Sequence, residues 1–222
     1  MAPGNEMRVA SEITTWMPGY KELSVGNHLF MTIQWMLSSF ANEGKAFFIA
    51  IWAAGFLLLM KSKKAKVYQI LAVVFSVVAL LPYAGISFFS EMGIGYIDIE
   101  QRLTELPTWQ TMTIQNRIAF FWWIAAVLFT LVLLWKVTGH SVFISMVFLG
   151  GIASEAVLHF SPTIYASGAR VYYLTDLMYL FIILWMVMRM DSEKKKNLFI
   201  AGTAALGVIN FLSQYSIMLL KL

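Results

Sequence analysis

The sequence predicts an all-α protein: a polytopic bundle of about six transmembrane helices, preceded by an amphipathic segment at the membrane surface. Hydrophobic residues make up 59% of the 222 positions and charged residues only 13%. The mean hydropathy is +0.72, and such values are typical of integral membrane proteins. Long apolar runs recur along the chain, and two of them end in clusters of basic residues. At about 20 residues per span, the chain has no room for a separate soluble domain.

The residue inventory excludes several classes of site. The chain has no cysteine and only three scattered histidines, so neither a disulfide framework nor a metal centre is expected. The net charge of +4 comes from basic residues that flank apolar runs, a pattern that signals membrane topology rather than nucleic-acid binding. The sequence contains no Walker or GxGxxG motif, so no nucleotide cofactor is expected.

Residues 1–44 are predicted to form an outer-face loop and an interfacial helix. Turn dipeptides at Pro3-Gly4 and Pro18-Gly19 interrupt any long helix, and no apolar stretch resembles a signal peptide. From His28 onward, apolar and polar residues separate onto two faces, so we expect the apolar face on the membrane and the polar face in water. A tilted span is the alternative. The apolar face holds Leu29, Ile33, Met36, Leu37 and Phe40, and the polar face holds His28, Thr32, Gln34, Ser38, Ser39 and Asn42.

Residues 45–222 are predicted to form one membrane domain. Basic clusters at 61–66 and 189–196 mark the cytoplasmic side, which places both termini and a large polar loop at 91–116 outside. The third span, whose only polar interruption is Thr130, is expected to face lipid. The predicted spans are residues 46–60, 67–90, 117–136, 142–160, 172–188 and 197–220.

Two carboxylates, Glu155 and Asp176, lie within predicted spans, where each costs roughly 2.5–3.5 kcal/mol to insert. Glu155 and His159 share a helical face with Gly151 and Ser154, and Asp176 shares one with Tyr172, Thr175 and Tyr179. One interpretation is a polar pocket at the outer edge of the membrane, with Glu155, Asp176 and His159 as candidate catalytic residues. The other is a set of hydrogen bonds that holds the helices together. In either case, we expect Arg170 to lie near the carboxylates.

Two outer segments, PGNEMR at residues 3–8 and SPTIYASGAR at residues 161–170, resemble motifs of C-type glycosyltransferases. These are bacterial multi-span proteins of surface-polysaccharide loci, often known only as domains of unknown function. The resemblance implies sugar transfer from a polyprenyl-phosphate carrier at the outer face of the bacterial cytoplasmic membrane, without a further cofactor. Arg8 and Arg170 would hold the phosphate, since a guanidinium fork suits that anion. Asn5 and Tyr172 complete the candidate binding set.

One departure from the family concerns the start of the chain. C-type enzymes carry an acidic catalytic residue in an outer loop after an N-terminal span, whereas this sequence begins at the PGN motif. We therefore expect either the C-terminal part of a larger protein or a chain that works with a separate membrane partner. A non-catalytic partner or scaffold subunit is the main alternative. A small transporter is less favoured, because the sequence shows no convincing internal repeat.

Overall fold

The computed structural model describes residues 23–84, 112–159 and 172–220, together with a few single positions outside these ranges. This part of the chain forms seven α-helices and contains no β-strand, which confirms the predicted fold class at the level of all-α. The helices are α1 (Val25–Ser39), α2 (Lys45–Leu59), α3 (Lys66–Leu80), α4 (Ile114–Val137), α5 (Val142–His159), α6 (Tyr173–Met188) and α7 (Glu193–Leu220).

Local sequence signals explain several helix ends. The side chains of Ser24 and Thr113 accept hydrogen bonds from backbone N–H groups at the starts of α1 and α4, each at 3.2 Å, as N-capping residues do. α3 ends at Leu80, directly before the short 3-10 turn Leu81–Ala84 that contains Pro82, because proline cannot continue an α-helix without losing a hydrogen bond. Gly139 and His140, both with positive φ, reverse the chain between α4 and α5.

α2 is the central helix, and it packs against α3, α4, α6 and α7. Phe48, in the first turn of α2, is fully buried. The Phe48 ring contacts five other aromatic rings with centroid distances from 5.1 to 6.1 Å, and such pairs stabilise a fold by about 0.5–1.5 kcal/mol each. These partners come from α2, α4, α5, α6 and the segment after α1, and they are Phe40, Trp52, Trp123, Phe148 and Tyr179.

α2 and α4 run parallel in a close register. The indole N–H of Trp52 donates to the hydroxyl of Thr130, 78 residues later, at 2.8 Å. Gly55 and Leu133 are also 78 residues apart, and a Cβ added to Gly55 would lie only 2.7 Å from Leu133. Thr130 and Leu133 are both fully buried, so the expectation that the third span faces lipid is wrong for this face. A polar side chain in an apolar helix was in fact a sign of an interhelical contact.

A bend between α1 and α2 brings α1 over the end of the bundle. The rings of Phe40 and Phe48 lie 5.1 Å apart, whereas eight residues of straight helix extend about 12 Å. The chain therefore bends between them, at the π-helical segment Phe40–Gly44 that joins the two helices, an element that often causes kinks. Through this bend α1 packs against α4 and α5.

The two faces of α1 differ from the prediction. Thr32, Gln34 and Ser38 are only 5%, 4% and 3% exposed, whereas Leu29 and Ile33 are 52% and 38% exposed. The expectation that the polar face meets water is therefore wrong. Because α1 folds onto α4 and α5, its polar side chains are enclosed by protein and part of its apolar face points outward.

The two basic clusters meet at one end of the bundle, which we call the lysine end. Asp191 bridges them, because its carboxylate lies 2.8 Å from Nζ of Lys61 and 2.9 Å from Nζ of Lys195. These two hydrogen bonds hold the pKa of Asp191 well below its usual range. This contact places both clusters at one end of the bundle, and their position relative to a membrane stays a prediction.

Among the described residues, one helical segment, Asn116–Val137, is long and apolar enough to cross a membrane. Three further helices are apolar but shorter, namely Lys45–Leu59, Val142–Leu158 and Tyr173–Met188.

Candidate functional site

The candidate site lies where α5 packs against α6. The hydroxyl of Thr175 donates to the backbone carbonyl of Gly151 at 3.2 Å. The ring of Tyr179 lies 3.0 Å from the place that a Cβ of Gly151 would occupy. Only glycine permits this approach without displacing the tyrosine. The predicted faces of the two helices therefore do face one another.

Glu155 lies one turn beyond Gly151 on the same face of α5, because residues four apart in a helix are neighbours. Glu155 is only 2% exposed to solvent. Asp176 lies in the first turn of α6 and is half-buried. Asp176 directly follows Thr175, whose hydroxyl reaches Gly151 one turn before Glu155, so the two carboxylates lie in the same part of the contact between α5 and α6. We call them the acidic pair.

The two members of the acidic pair lie at the same depth in the bundle. Glu155 is 13 residues after the start of α5 at Val142, and Asp176 is 13 residues before Arg189 at the end of α6. At the helical rise, each lies roughly 20 Å from the lysine end. Across a hydrocarbon core of about 30 Å, this position is nearer the far boundary than the lysine end.

Tyr179 closes the site toward the protein core. It is 1% exposed, and its ring is surrounded by four phenylalanine rings, those of Phe40, Phe47, Phe48 and Phe148. Its hydroxyl is buried and makes no hydrogen bond within the described part of the chain. A buried phenol of this kind can donate to an anionic group. The sequence placed Tyr179 on the correct face but not among the candidate site residues.

α1 contributes polar groups that the sequence reasoning assigned to water. Oγ1 of Thr32 and Oε1 of Gln34 are buried without a hydrogen-bond partner among the described residues, on a helix that packs against α5. The indole N–H of Trp123 on α4 is in the same situation. Buried polar groups are normally hydrogen-bonded, so this end of the bundle has unused capacity to bind a polar molecule. The alternation of polar and apolar residues in α1 marked these positions, but not the direction in which they point.

The remaining predicted site residues are placed only in part. Tyr172 directly precedes α6 and is partly buried, and His159 is the last residue of α5, with a side chain outside the described set. Asn5, Arg8 and Arg170 lie outside the described residues, so their convergence on a phosphate stays a prediction. Within the described ranges, no group of three or more histidine, aspartate or glutamate side chains could hold a metal ion.

The arrangement has the elements of acid–base chemistry. A positioned carboxylate can take the proton of an attacking hydroxyl group, and such catalysis contributes roughly 10²–10⁴-fold to rates. The acidic pair supplies two such groups at one depth, next to a buried phenol. Comparison with known proteins gave no match to a family model, a curated protein or a solved structure.

Proposed function

We propose that the chain is a multi-span membrane protein, with about six spans in the bacterial cytoplasmic membrane. The support is the apolar surface of the helices, since soluble monomers rarely expose contiguous apolar patches above a few hundred Å². Large hydrophobic side chains are exposed on every helix of the described bundle except the central α2. Examples are Val73 and Val77 on α3, Phe121 and Leu128 on α4, Phe143 and Met146 on α5, Phe181 and Leu184 on α6, and Ile200 and Val208 on α7.

In this proposal, the lysine end faces the cytoplasm, because basic residues are retained on that side. Both chain termini and the loop at 91–116 then lie outside. The acidic pair sits below the outer surface, where a lipid-linked substrate can reach it from the membrane. The 15 residues of α2 cover about 22 Å, and the bend at Phe40–Gly44 then folds α1 over this end of the bundle.

The proposed activity is transfer of a sugar from a polyprenyl-phosphate carrier to a surface polysaccharide, by this chain or by a larger assembly that contains it. The main support is Glu155, a carboxylate that is almost fully buried on α5, which packs against the helix that carries Asp176. Ionisable residues inside membrane helices are costly and usually functional. The Arg8 and Arg170 motifs supply the preference for a phosphate-linked donor.

The proposed step is a single displacement. The hydroxyl oxygen of the acceptor sugar forms a bond to the anomeric carbon of the donor, and the bond from that carbon to the phosphate oxygen breaks. The acceptor proton passes to Glu155 or Asp176, and polyprenyl phosphate leaves. Arg8 and Arg170, with Asn5 and Tyr172, would hold the departing phosphate.

The test is sugar transfer in native membranes that contain wild-type protein, Glu155→Gln or Asp176→Asn, with a radiolabelled polyprenyl-phosphate sugar as the donor. We expect Glu155→Gln to lose about 100-fold or more of the transfer rate at unchanged protein abundance. Glu193→Gln is the matched control, because Glu193 is exposed at the lysine end and pairs only with Lys196 in the described part. Wild-type membranes that transfer no sugar, or a fully active Glu155→Gln variant, would contradict the proposal.

A non-catalytic membrane partner or scaffold is the second candidate. The tight contact of Gly151 with Thr175 and Tyr179 favours it, because small residues and interhelical hydrogen bonds are typical of structural helix pairs in membranes. A scaffold predicts that Glu155→Gln lowers the stability of the protein and leaves the transfer rate per folded molecule unchanged.

A further inference from the structure

An apolar groove runs along the side of the bundle between α2, α3 and α7, away from the acidic pair. It encloses about 500 Å³, within the 300–1,000 Å³ range of small-molecule pockets. Small residues keep it open, among them Ala53, Ala72 and Gly202. A Cβ added to Gly202 would meet no atom within 4 Å, so the groove is open at that point.

The groove is lined almost wholly by hydrocarbon, and its length fits one lipid chain. On α7 the lining extends from Leu198 to Ile209, roughly 16 Å of helix axis. This is about half of a 30 Å hydrocarbon core, the depth of a single leaflet.

A polar cluster closes the end of the groove that is distant from the lysine end. The Tyr83 hydroxyl donates to Oδ1 of Asn210 at 2.7 Å, which joins the turn after α3 to α7. The Lys45 ammonium lies 4.5 Å from the centre of the Tyr83 ring. Lys45 is one turn before the groove residue Ile49, and Asn210 directly follows Ile209.

The charge of Lys45 indicates what binds there. Among the described side chains no carboxylate pairs with Lys45, whereas Lys61, Lys195 and Lys196 at the lysine end all have acidic partners. Lys45 lies 16 residues before Lys61, roughly 24 Å along the helix. In a membrane this is the level of the opposite headgroups, where an ammonium meets lipid phosphate.

We propose that this groove binds one anionic phospholipid, with a hydrocarbon chain between α2, α3 and α7 and the phosphate at Lys45. The proposal rests on the membrane location argued above but not on glycosyl transfer. A lipid in this position fills the space between α3 and α7, which both pack mainly on α2.

The test is lipid binding to delipidated protein, with bound molecules counted by native mass spectrometry. Phosphatidylglycerol is the anionic probe and phosphatidylcholine is the neutral comparison. We expect wild-type protein to retain one phosphatidylglycerol, with about tenfold preference over phosphatidylcholine. A preference of this size corresponds to the free energy of one charge-assisted hydrogen bond. Lys45→Gln should lose this preference and Lys45→Arg should keep it, because arginine preserves the charge.

Two glycine variants test the groove itself. Gly202→Phe places a ring in the open groove and should abolish retention of the lipid. Gly207→Phe is the matched control, because Gly207 lies on the same helix, also has open space at its Cβ position, and does not line the groove. Equal retention by the two phenylalanine variants, or an unchanged preference in Lys45→Gln, would overturn the proposal. This experiment measures no sugar transfer, so neither result affects the activity proposed for the acidic pair.

Discussion

At the scale of single residues, the most informative contact is the buried hydrogen bond from Trp52 to Thr130. It joins two helices at 2.8 Å, and the Thr130 hydroxyl in turn donates to the carbonyl of Ala126 at 2.7 Å. Thr130 therefore satisfies an indole N–H that has no access to water. The sequence predicts a span around Thr130, but it cannot predict the tryptophan partner, because that residue lies 78 positions away.

We predict that Thr130→Val destabilises the protein by about 1 kcal/mol, since valine keeps the shape and leaves the Trp52 N–H unpaired. For a chain of this size, the expected fall in Tm is about 2–4 °C, measured by thermal unfolding in detergent. Thr203→Val is the control, because the Thr203 hydroxyl donates only to carbonyls of its own helix. An equal fall in Tm for both variants would show that the Trp52 contact adds nothing.

At the scale of helices, the sequence predicts existence and approximate bounds well. Predicted spans at 46–60, 142–160 and 172–188 correspond to helices at Lys45–Leu59, Val142–His159 and Tyr173–Met188. These limits are readable because charged or turn residues bound each apolar run. The span at 67–90 is the exception, since its α-helix ends at Leu80.

Which face of a helix points into the bundle is less predictable than where the helix begins and ends. Hydrophobic patterning separates two faces of a helix, but in a membrane protein either face can point inward. α1 shows this, because Gln34 and Ser38 turn inward while Leu29 remains exposed. For the candidate site, helical spacing correctly brought Thr175 and Tyr179 toward Gly151. The burial of Thr32 depends on how α1 folds onto α4 and α5, which no local pattern signals.

We predict that Gly55→Val destabilises the contact between α2 and α4. The added Cβ would lie 2.7 Å from Leu133, and overpacking of this kind costs about 1–3 kcal/mol. The measurement is again thermal unfolding, with Gly207→Val as a control at a position with open space. Adding Leu133→Ala to Gly55→Val should restore part of the lost stability, because the two positions are in contact. If the second substitution only adds to the damage, the clash is not the cause.

At the scale of the whole molecule, the bundle has two chemically different ends. One end collects the basic clusters, which Asp191 ties together. Toward the other end lie the acidic pair, the buried polar groups of α1 and the cluster at Lys45. Between these ends, the described helices other than α2 expose large apolar side chains. This division is what a membrane spanning the molecule would require, and both functional proposals depend on it.

The most direct test of this account is single-cysteine labelling, for which the natural absence of cysteine gives a clean background. Ser62→Cys places a thiol at the lysine end, and Thr104→Cys places one in the loop at 91–116. With a membrane-impermeant maleimide, we predict that intact cells label Thr104→Cys but not Ser62→Cys, and that both label after permeabilisation. Labelling of Ser62→Cys in intact cells, or protection of Thr104→Cys, would contradict the proposed orientation and with it chemistry at the outer face.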